Sequence, residues 1–292
     1  MSFSYASVIE AMQLSPRLIR IGLRVDDPEA LGVPRAGDAA VGVYFPVVTP
    51  QGKRIPPPVV TGAGGTRYVD PASGAHGRNY TVRHHDGDRI DLDVVLHAHG
   101  PGTAWAATTT PGDRVGLDHA RSWYRPGPTT DWQLLVTDLS GLPATARIIE
   151  ELPRGVRTTA IVEVADHTDL DYLAPRADVT VMPSIGTGNG HTPSRLARLV
   201  REFSWPDGRG YCWLAGEAAE SRTVRKYFRG HGWTIDQLDV TGYWRFDSEA
   251  WDARYALVED EIFAVYERAL ADGKDDKVAF EHYDEALERA GL

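Results

Sequence analysis

The sequence predicts a two-part fold with a tail: an all-β unit of barrel or sandwich type, a parallel α/β domain, and a helical C-terminal extension. Three observations carry it. Short segments rich in Val, Ile, Leu, Thr and Tyr, separated by Pro, Gly and Asp clusters, fill roughly the first 125 residues. Beyond the stretch Arg125-Pro126-Gly127-Pro128-Thr129-Thr130, strand-like and helix-like patterns alternate, which implies crossover connections and a parallel sheet. From residue 247 onward, apolar side chains recur at three- and four-residue spacing.

Strands are expected at residues 4–12, 18–25, 39–46, 80–83, 89–97 and 114–117. Residues 53–77, with Pro56-Pro57-Pro58 and Gly62-Ala63-Gly64-Gly65, read as one long loop, a length that is usually functional or mobile. The turn-forming composition at 125–130 divides the chain into units 1–127, 128–246 and 247–292. In the second unit, strands are expected at 132–137, 158–164, 178–182 and 210–215, and helices at 140–152, 192–203 and 218–230. The tail reads as helices 248–271 and 276–290, with Tyr255, Val258, Ile262, Val265 and Tyr266 on one apolar stripe and Phe280, Tyr283 and Leu287 on the other.

Composition narrows the function classes. The 292 residues are 42% hydrophobic and 25% charged, the usage of a packed globular protein rather than a disordered one. The net charge of −10 is unevenly placed: residues 247–292 hold 14 acidic and 5 basic side chains, so the rest is nearly neutral, and the tail's acidity reads as a solvated helix face. No basic stripe remains for nucleic acid. The apolar runs at 92–96 and 158–165 are too short to span a bilayer, and the first dozen residues lack an export signal, so the expectation is a cytoplasmic protein without stable membrane insertion. Cys212, the one cysteine, excludes an internal disulfide and Cys-rich metal sites. The oligomeric state stays open.

A β unit followed by a parallel α/β domain places two ligands at the interface, the second at the carboxyl ends of the parallel strands, and flavin with nicotinamide is the obvious pair. Arg78-Asn79-Tyr80-Thr81-Val82-Arg83 is similar to the Arg-x-Tyr-Thr signature of flavoprotein reductases built like ferredoxin reductase. An Arg forks phosphate oxygens, a Tyr packs on a ring system and a Thr hydroxyl bonds a flavin edge. Downstream lie Asp91-Leu92-Asp93-Val94-Val95-Leu96-His97, Gly100-Pro101-Gly102-Thr103-Ala104-Trp105-Ala106 and Pro111-Gly112-Asp113. Small residues opening a helix let backbone amides approach a pyrophosphate.

Together these segments resemble the siderophore-interacting protein family, the flavin-dependent ferric-siderophore reductases. The likeness continues through Trp132-Gln133-Leu134-Leu135-Val136-Thr137-Asp138, Val162-Glu163-Val164-Ala165-Asp166, Trp213-Leu214-Ala215-Gly216-Glu217-Ala218 and Gly242-Tyr243-Trp244-Arg245. It implies an antiparallel barrel that binds FAD, an α/β domain that takes NADH or NADPH, and a ferric siderophore as substrate. It assigns Arg78, Tyr80, Thr81, Val82, Val95 and His97 to the flavin ring and ribityl phosphate end. It gives Gly102, Thr103, Ala104 and Trp105 to the pyrophosphate, and Asp138, Gly216 and Glu217 to the nicotinamide edge. Lys53, Arg54, Arg114 and Arg125 are candidates for steering an anionic chelate. Two positions depart from the family pattern: Leu139 replaces an acidic residue, and Gly42 stands where a Lys is common. The rival readings are a related NAD(P)H-linked flavin reductase with another acceptor and a non-catalytic siderophore-binding protein on the same fold.

Other features read as structural. His84, His85, His97 and His99 lack a carboxylate or cysteine partner at metal-site spacing. Gly186-Thr187-Gly188-Asn189-Gly190 fits neither dinucleotide nor P-loop spacing and reads as a flexible loop. Asp166 and Asp169 suit helix capping. Arg222, Arg225 and Lys226 form a basic helix face, exposed or phosphate-binding.

Overall fold

Alternating apolar and polar residues close the N-terminal unit into a six-stranded antiparallel barrel. A computed structural model describes residues 2–62, 65–97, 100–246 and 248–292. The barrel strands are β1 (Phe3–Ser15), β2 (Leu18–Val25), β3 (Ala40–Tyr44), β8 (Gly77–Asp86), β9 (Arg89–Val95) and β10 (Arg114–Arg121), in spatial order β1-β10-β3-β8-β9-β2. Inward-facing Ile21, Leu23, Val41, Val43, Leu92 and Leu117 fill it. A one-turn helix α1 (Pro28–Leu31) follows β2, and α2 (Pro101–Thr108) plugs the barrel mouth with Trp105 and Ala106. Residues 53–77 are not a bare loop. They carry β5 (Arg54–Ile55) paired with β4 (Val47–Val48), and the hairpin β6 (Val59–Thr61) with β7 (Arg67–Val69), strands too short to leave an alternation in sequence.

The second unit is a five-stranded parallel sheet ordered β13-β12-β11-β14-β15. Its strands are β11 (Trp132–Thr137), β12 (Arg157–Val164), β13 (Val179–Ile185), β14 (Gly210–Glu217) and β15 (Leu238–Trp244). Helix α3 (Leu142–Glu151) covers one face against Leu135, Val162 and Trp213, while α4 (Leu196–Glu202) and α5 (Ala218–Gly230) cover the other against Val136, Ile161 and Leu214. Sequence reading missed β15 because, as an edge strand, Leu-Asp-Val-Thr-Gly-Tyr-Trp lacks the continuous apolar run of a central parallel strand.

Three helix boundaries differ from expectation. Asp138 caps a 3₁₀ turn over Leu139–Gly141, which delays α3 to Leu142. Pro193 disfavours helix at Thr192, and α4 begins only at Leu196. The expected helix 248–271 is two, α6 (Ser248–Tyr255) and α7 (Glu259–Ala271); Glu259, Asp260 and Glu261 favour a fresh amino end through the helix dipole. The last helix, α8 (Asp276–Arg289), is not a purely solvated acidic face. It lies against α5, where Arg225 pairs with Asp284, Lys226 with Glu288 at 2.8 Å, and Arg222 donates to the Leu292 carbonyl at 2.5 Å. Arg225 is thereby covered, while Lys226 stays largely exposed. No helix among the described residues is long and apolar enough to cross a membrane.

Buried polar groups lock the two units together. Asp38, fully buried, accepts from Ser122 Oγ at 2.6 Å, from the Trp123 and Tyr124 amides at 3.0 and 2.7 Å, and from Trp213 Nε1 on β14 at 3.1 Å. Arg83 on the barrel's outer face clasps Glu150 of α3 at 2.8 and 2.5 Å and bonds Tyr172, whose hydroxyl donates to Asp93. Arg20 holds Asp93 with two 2.7 Å bonds. At Gly37 the chain packs so closely on α3 that a Cβ would sit 2.6 Å from Ile148 Cγ1. Replacing Asp38 by Ala orphans four donors, each worth roughly 1 kcal/mol or more when buried. Urea unfolding of Asp38→Ala should therefore show a loss of about 3 kcal/mol or more.

Candidate functional site

At the barrel mouth, Gly100 (φ 117°) and Pro101 open α2, and the Thr103 hydroxyl accepts from the His97 amide at 3.0 Å, tying the end of β9 to the helix. Gly102 is forced: a Cβ there would overlap the Tyr80 hydroxyl. Tyr80 packs with Phe45 and Trp105, at centroid separations of 6.4 Å each, and burial pushes its phenol well above the ordinary pKa. Arg78 is exposed, and its guanidinium donates to the Gly77 carbonyl at 2.7 Å. Ala104 is exposed on the first turn of α2.

Along β8 the side chains alternate. Tyr80 and Val82 face the barrel interior, and Thr81 and Arg83 face the α/β domain. The Val82 side chain is wholly core, its amide donates to Ala39 O and its carbonyl receives Arg147. Val95, half-buried, packs on the α/β core beside α3. Thr81 Oγ1 is buried without a hydrogen-bond partner, as are Trp105 Nε1 and the hydroxyl of Tyr243 on β15. Thr81 and Tyr243 approach each other across the domain seam without closing a bond of normal geometry.

On the α/β side, the carboxyl ends of β11, β12 and β14 converge. Asp138 accepts from the Ser140 amide at 2.9 Å, Ser140 Oγ at 2.5 Å and Trp244 Nε1 at 2.6 Å. Burial raises its pKa above the ordinary carboxylate value, and the nearby Glu163 charge adds to the rise. Gly216 lies beside it; a Cβ there would be 3.1 Å from Asp138 Oδ2. Glu217 caps α5 through the Ala219 and Glu220 amides at 2.7 and 3.0 Å.

Sequence reading missed Glu163 and Asn189, which correct the idea of a flexible loop at 186–190. Glu163, fully buried, accepts from Thr187 Oγ1 at 2.8 Å and from the Arg195 amide at 2.7 Å. Asn189, in the left-handed region at φ 58°, accepts from the Leu139 amide at 2.8 Å and donates to the Glu163 and Thr187 carbonyls. Gly188, at φ 66°, has no room for a Cβ against Glu163. The available signal was a lone charge inside the apolar run of β12. Leu139, where an acidic residue was expected, is buried in the α3 cluster.

The four cations proposed for the chelate do not gather. Arg54 is held by Asp113 at 2.6 Å and by Thr108, Arg114 is paired with Asp26 and Ser7, and Lys53 sits on the exposed turn between β4 and β5. Arg125 lies at the opposite, amino end of the sheet, beside Tyr211, in a cleft of about 590 Å³ with Arg229 and Lys277. Asp166 and Asp169 form a reciprocal cap, and Asp169 also pairs with Arg17 at 3.1 Å. Partial desolvation and nearby His191 lower the His97 pKa; His84 lies 3.4 Å from Asp91, and His99 falls outside the described residues. Among the described residues no group of three or more His, Cys, Asp or Glu side chains could hold a metal ion.

A six-stranded antiparallel barrel clamped to a parallel five-stranded domain, with orphaned polar atoms in the seam, defines the ferredoxin reductase-like class. The ferredoxin NADP+ reductase of Neisseria gonorrhoeae, solved with bound FAD and NADP, shares this fold at 17% identity and TM-score 0.58, over 84% of this chain and 100% of that one. Within the class, the chain belongs to the siderophore-interacting protein family: residues 7–121 match the siderophore-interacting FAD-binding domain and residues 130–247 the siderophore-interacting protein domain. A siderophore utilization protein from T. fusca is 32% identical, with TM-score 0.71, over 83% of this chain and 92% of that structure. The ferric vibriobactin reductase of Vibrio cholerae is 27% identical over 64% of this chain and 71% of its own length. The chain spans 64% of the length of the first curated relatives it matches, at 31% identity.

The raised pKa of Asp138 has a stability sign. The folded state holds its proton more tightly than the unfolded state, so the associated stability is full below the ordinary carboxylate pKa and is lost as pH rises through the elevated one. Asp138→Asn keeps an acceptor oxygen and removes the ionisation. In urea titrations of the FAD-free protein, the variant should gain on the parent as pH rises from about 4 toward neutrality. A gap that stays constant with pH would contradict this.

Proposed function

We propose that this protein is an FAD-dependent reductase of ferric siderophores that draws hydride from NADH or NADPH. The observation that carries the reading is the unsatisfied Thr81 hydroxyl, buried in the seam where the barrel wall meets Tyr243 of the α/β domain. A buried hydroxyl without a partner costs about 1–3 kcal/mol, a cost that a ligand's polar edge removes.

The residues fit the cofactor. Thr81 offers a hydroxyl to a flavin edge, and Tyr80, with Trp105 behind it, lines the mouth. The amides of Gly102 and Thr103 at the amino end of α2 suit a pyrophosphate, with exposed Ala104, whose own amide donates to the Gly100 carbonyl at 3.1 Å, beside them, and Arg78, exposed and paired only with a carbonyl, suits its charge. His97 closes the turn beside them through its amide bond to Thr103. Asp138, Gly216 and Glu217 stand at the carboxyl ends of the parallel strands, where nicotinamide binds in open α/β sheets. A bound flavin supplies the exchange between a hydride donor and a one-electron acceptor. The balance is one NAD(P)H and two chelated iron(III) giving NAD(P)+, a proton and two iron(II), which hard oxygen ligands hold less tightly.

The visible spectrum tests cofactor and donor together. The purified protein should be yellow, or become so with added FAD, and bleach on anaerobic addition of NADH or NADPH. Stopped-flow reoxidation should be faster with a ferric siderophore than with free flavin. A colourless protein that takes up no FAD would overturn the proposal, and equal rates would favour a reductase with another acceptor.

A further inference from the structure

Several cations have no acidic partner among the described residues, and one of them stands on the barrel wall that faces the α/β domain. Arg121, the last residue of β10, is in none of the ion pairs among the described residues; its guanidinium donates to the His119 carbonyl at 2.8 Å and lies 5.1 Å from the centre of the Trp123 ring. Its placement depends on a strained backbone. Between Asp118, opposite Gly42, and Arg121, opposite Ala40, the ladder is bulged, and His119 within the bulge sits at φ 48°. A bulge re-aims the side chain that follows it, and a non-glycine residue in the left-handed region is a cost that function can account for.

The bulge brings Arg121 into a specific row. It faces Ala40 on β3, and Ala40 faces Thr81 on β8, so guanidinium, methyl and hydroxyl stand side by side on the barrel wall that confronts the α/β domain. Strands lie about 4.8 Å apart, which makes the row about 10 Å long, the span of a fused three-ring system. The neighbouring row reads Asp118, Gly42, Asn79, and the buried Asp118 carboxylate fills the space over Gly42, where a Cβ would lie 2.4 Å from its Oδ1. Tyr243 closes the row from the other domain, and the charged or titratable groups facing Arg121 are Tyr243, Asp118 and Tyr44. The Asp118 Oδ1 lies 2.9 Å from His119 Nδ1 but is buried without a hydrogen-bond partner, and Asp118 makes no ion pair with Arg121.

We propose that Arg121 is a redox-tuning residue: it faces the end of the flavin ring away from Thr81 and favours the reduced ring, which bears one more negative charge after taking up hydride. The inference rests on FAD occupying the seam. The hydride brings two electrons and one hydrogen nucleus, NAD(P)+ leaves, and the added charge resides on the ring end nearest the cation. A fixed guanidinium there lowers the energy of the reduced form more than of the oxidised one.

The test is the two-electron midpoint potential of the FAD-loaded protein, measured by equilibration with a reference dye, in the parent, Arg121→Gln and Arg121→Lys. Arg121→Gln should bind reduced FAD about tenfold more weakly relative to oxidised FAD, a downward shift of about 30 mV for a two-electron couple. Arg121→Lys should stay near the parent, and affinity for oxidised FAD should be unchanged in both. An unshifted potential in Arg121→Gln would overturn the proposal. So would an Arg121→Gln protein that fails to fold, or that folds yet takes up no FAD, because the guanidinium would then be a structural or ground-state contact. Failure of the parent to take up FAD is a separate result and belongs to the function proposed above.

Discussion

The site depends on how rigidly the barrel is held against the sheet, and that rests on buried carboxylates that cannot be left unpaired. Asp38 carries four donors from two domains, and Asp93 is gripped by Arg20 and Tyr172 while Arg83 reaches over to Glu150. Apolar surfaces tolerate sliding because the hydrophobic effect is non-directional. A hydrogen-bonded charge does not, since displacing one partner leaves another desolvated and unmatched. The relative position of Thr81 on the barrel and Tyr243 on β15 is therefore fixed before any ligand arrives, the preorganisation a two-ligand site needs.

The carboxyl ends of the parallel strands use the same device internally. Asp138 and Glu163 are both buried at the ends of neighbouring strands; Asp138 accepts from Ser140 and Trp244, while Glu163 accepts from Thr187 and the Arg195 amide at Oε1 and leaves Oε2 without a partner. Asn189 joins the two by receiving the Leu139 amide and returning a bond to the Glu163 backbone. Such networks strengthen one another in a low dielectric and are costly when incomplete. A loop with three glycines within five residues is thereby held to one conformation, and the loss of an acidic residue at Leu139 is absorbed by packing rather than left as a gap.

Much of the fold was legible because it follows from local periodicity. The barrel strands alternate, the central strands of the sheet are largely apolar, and β2, β11 and α5 fall at the residues the pattern marks. The edge strand β15 was hidden because its apolar residues are interrupted and only its first half is buried, and the strands between Lys53 and Gly77 because they are too short to imprint a period. In the candidate site, residues within a short motif, such as Arg78 and Thr81 in one and Gly102 in another, could be singled out from sequence. Those defined by a distant partner could not. Nothing near Arg54 or Arg114 in sequence announces Asp113 or Asp26, so both looked like free cations. Nothing near Arg121 shows that a bulge turns it toward Thr81.

The distribution of counter-charges joins these points. The tail contributes most of the chain's net negative charge, yet part of it is spent on the basic face of α5, where Arg225 and Lys226 meet Asp284 and Glu288, and Lys277 returns a positive charge to buried Asp239 at 2.7 Å. Arg245 is likewise occupied, its guanidinium 3.8 Å from the Trp251 ring centre on α6. Many of the cations are thus neutralised where they stand. Among those without an acidic partner, Arg78 lies near the barrel mouth and Arg121 on the seam wall, on the side where an anionic dinucleotide would lie. In a body of nearly zero net charge, selective pairing of this kind, rather than an excess of basic residues, determines where a negative ligand is drawn.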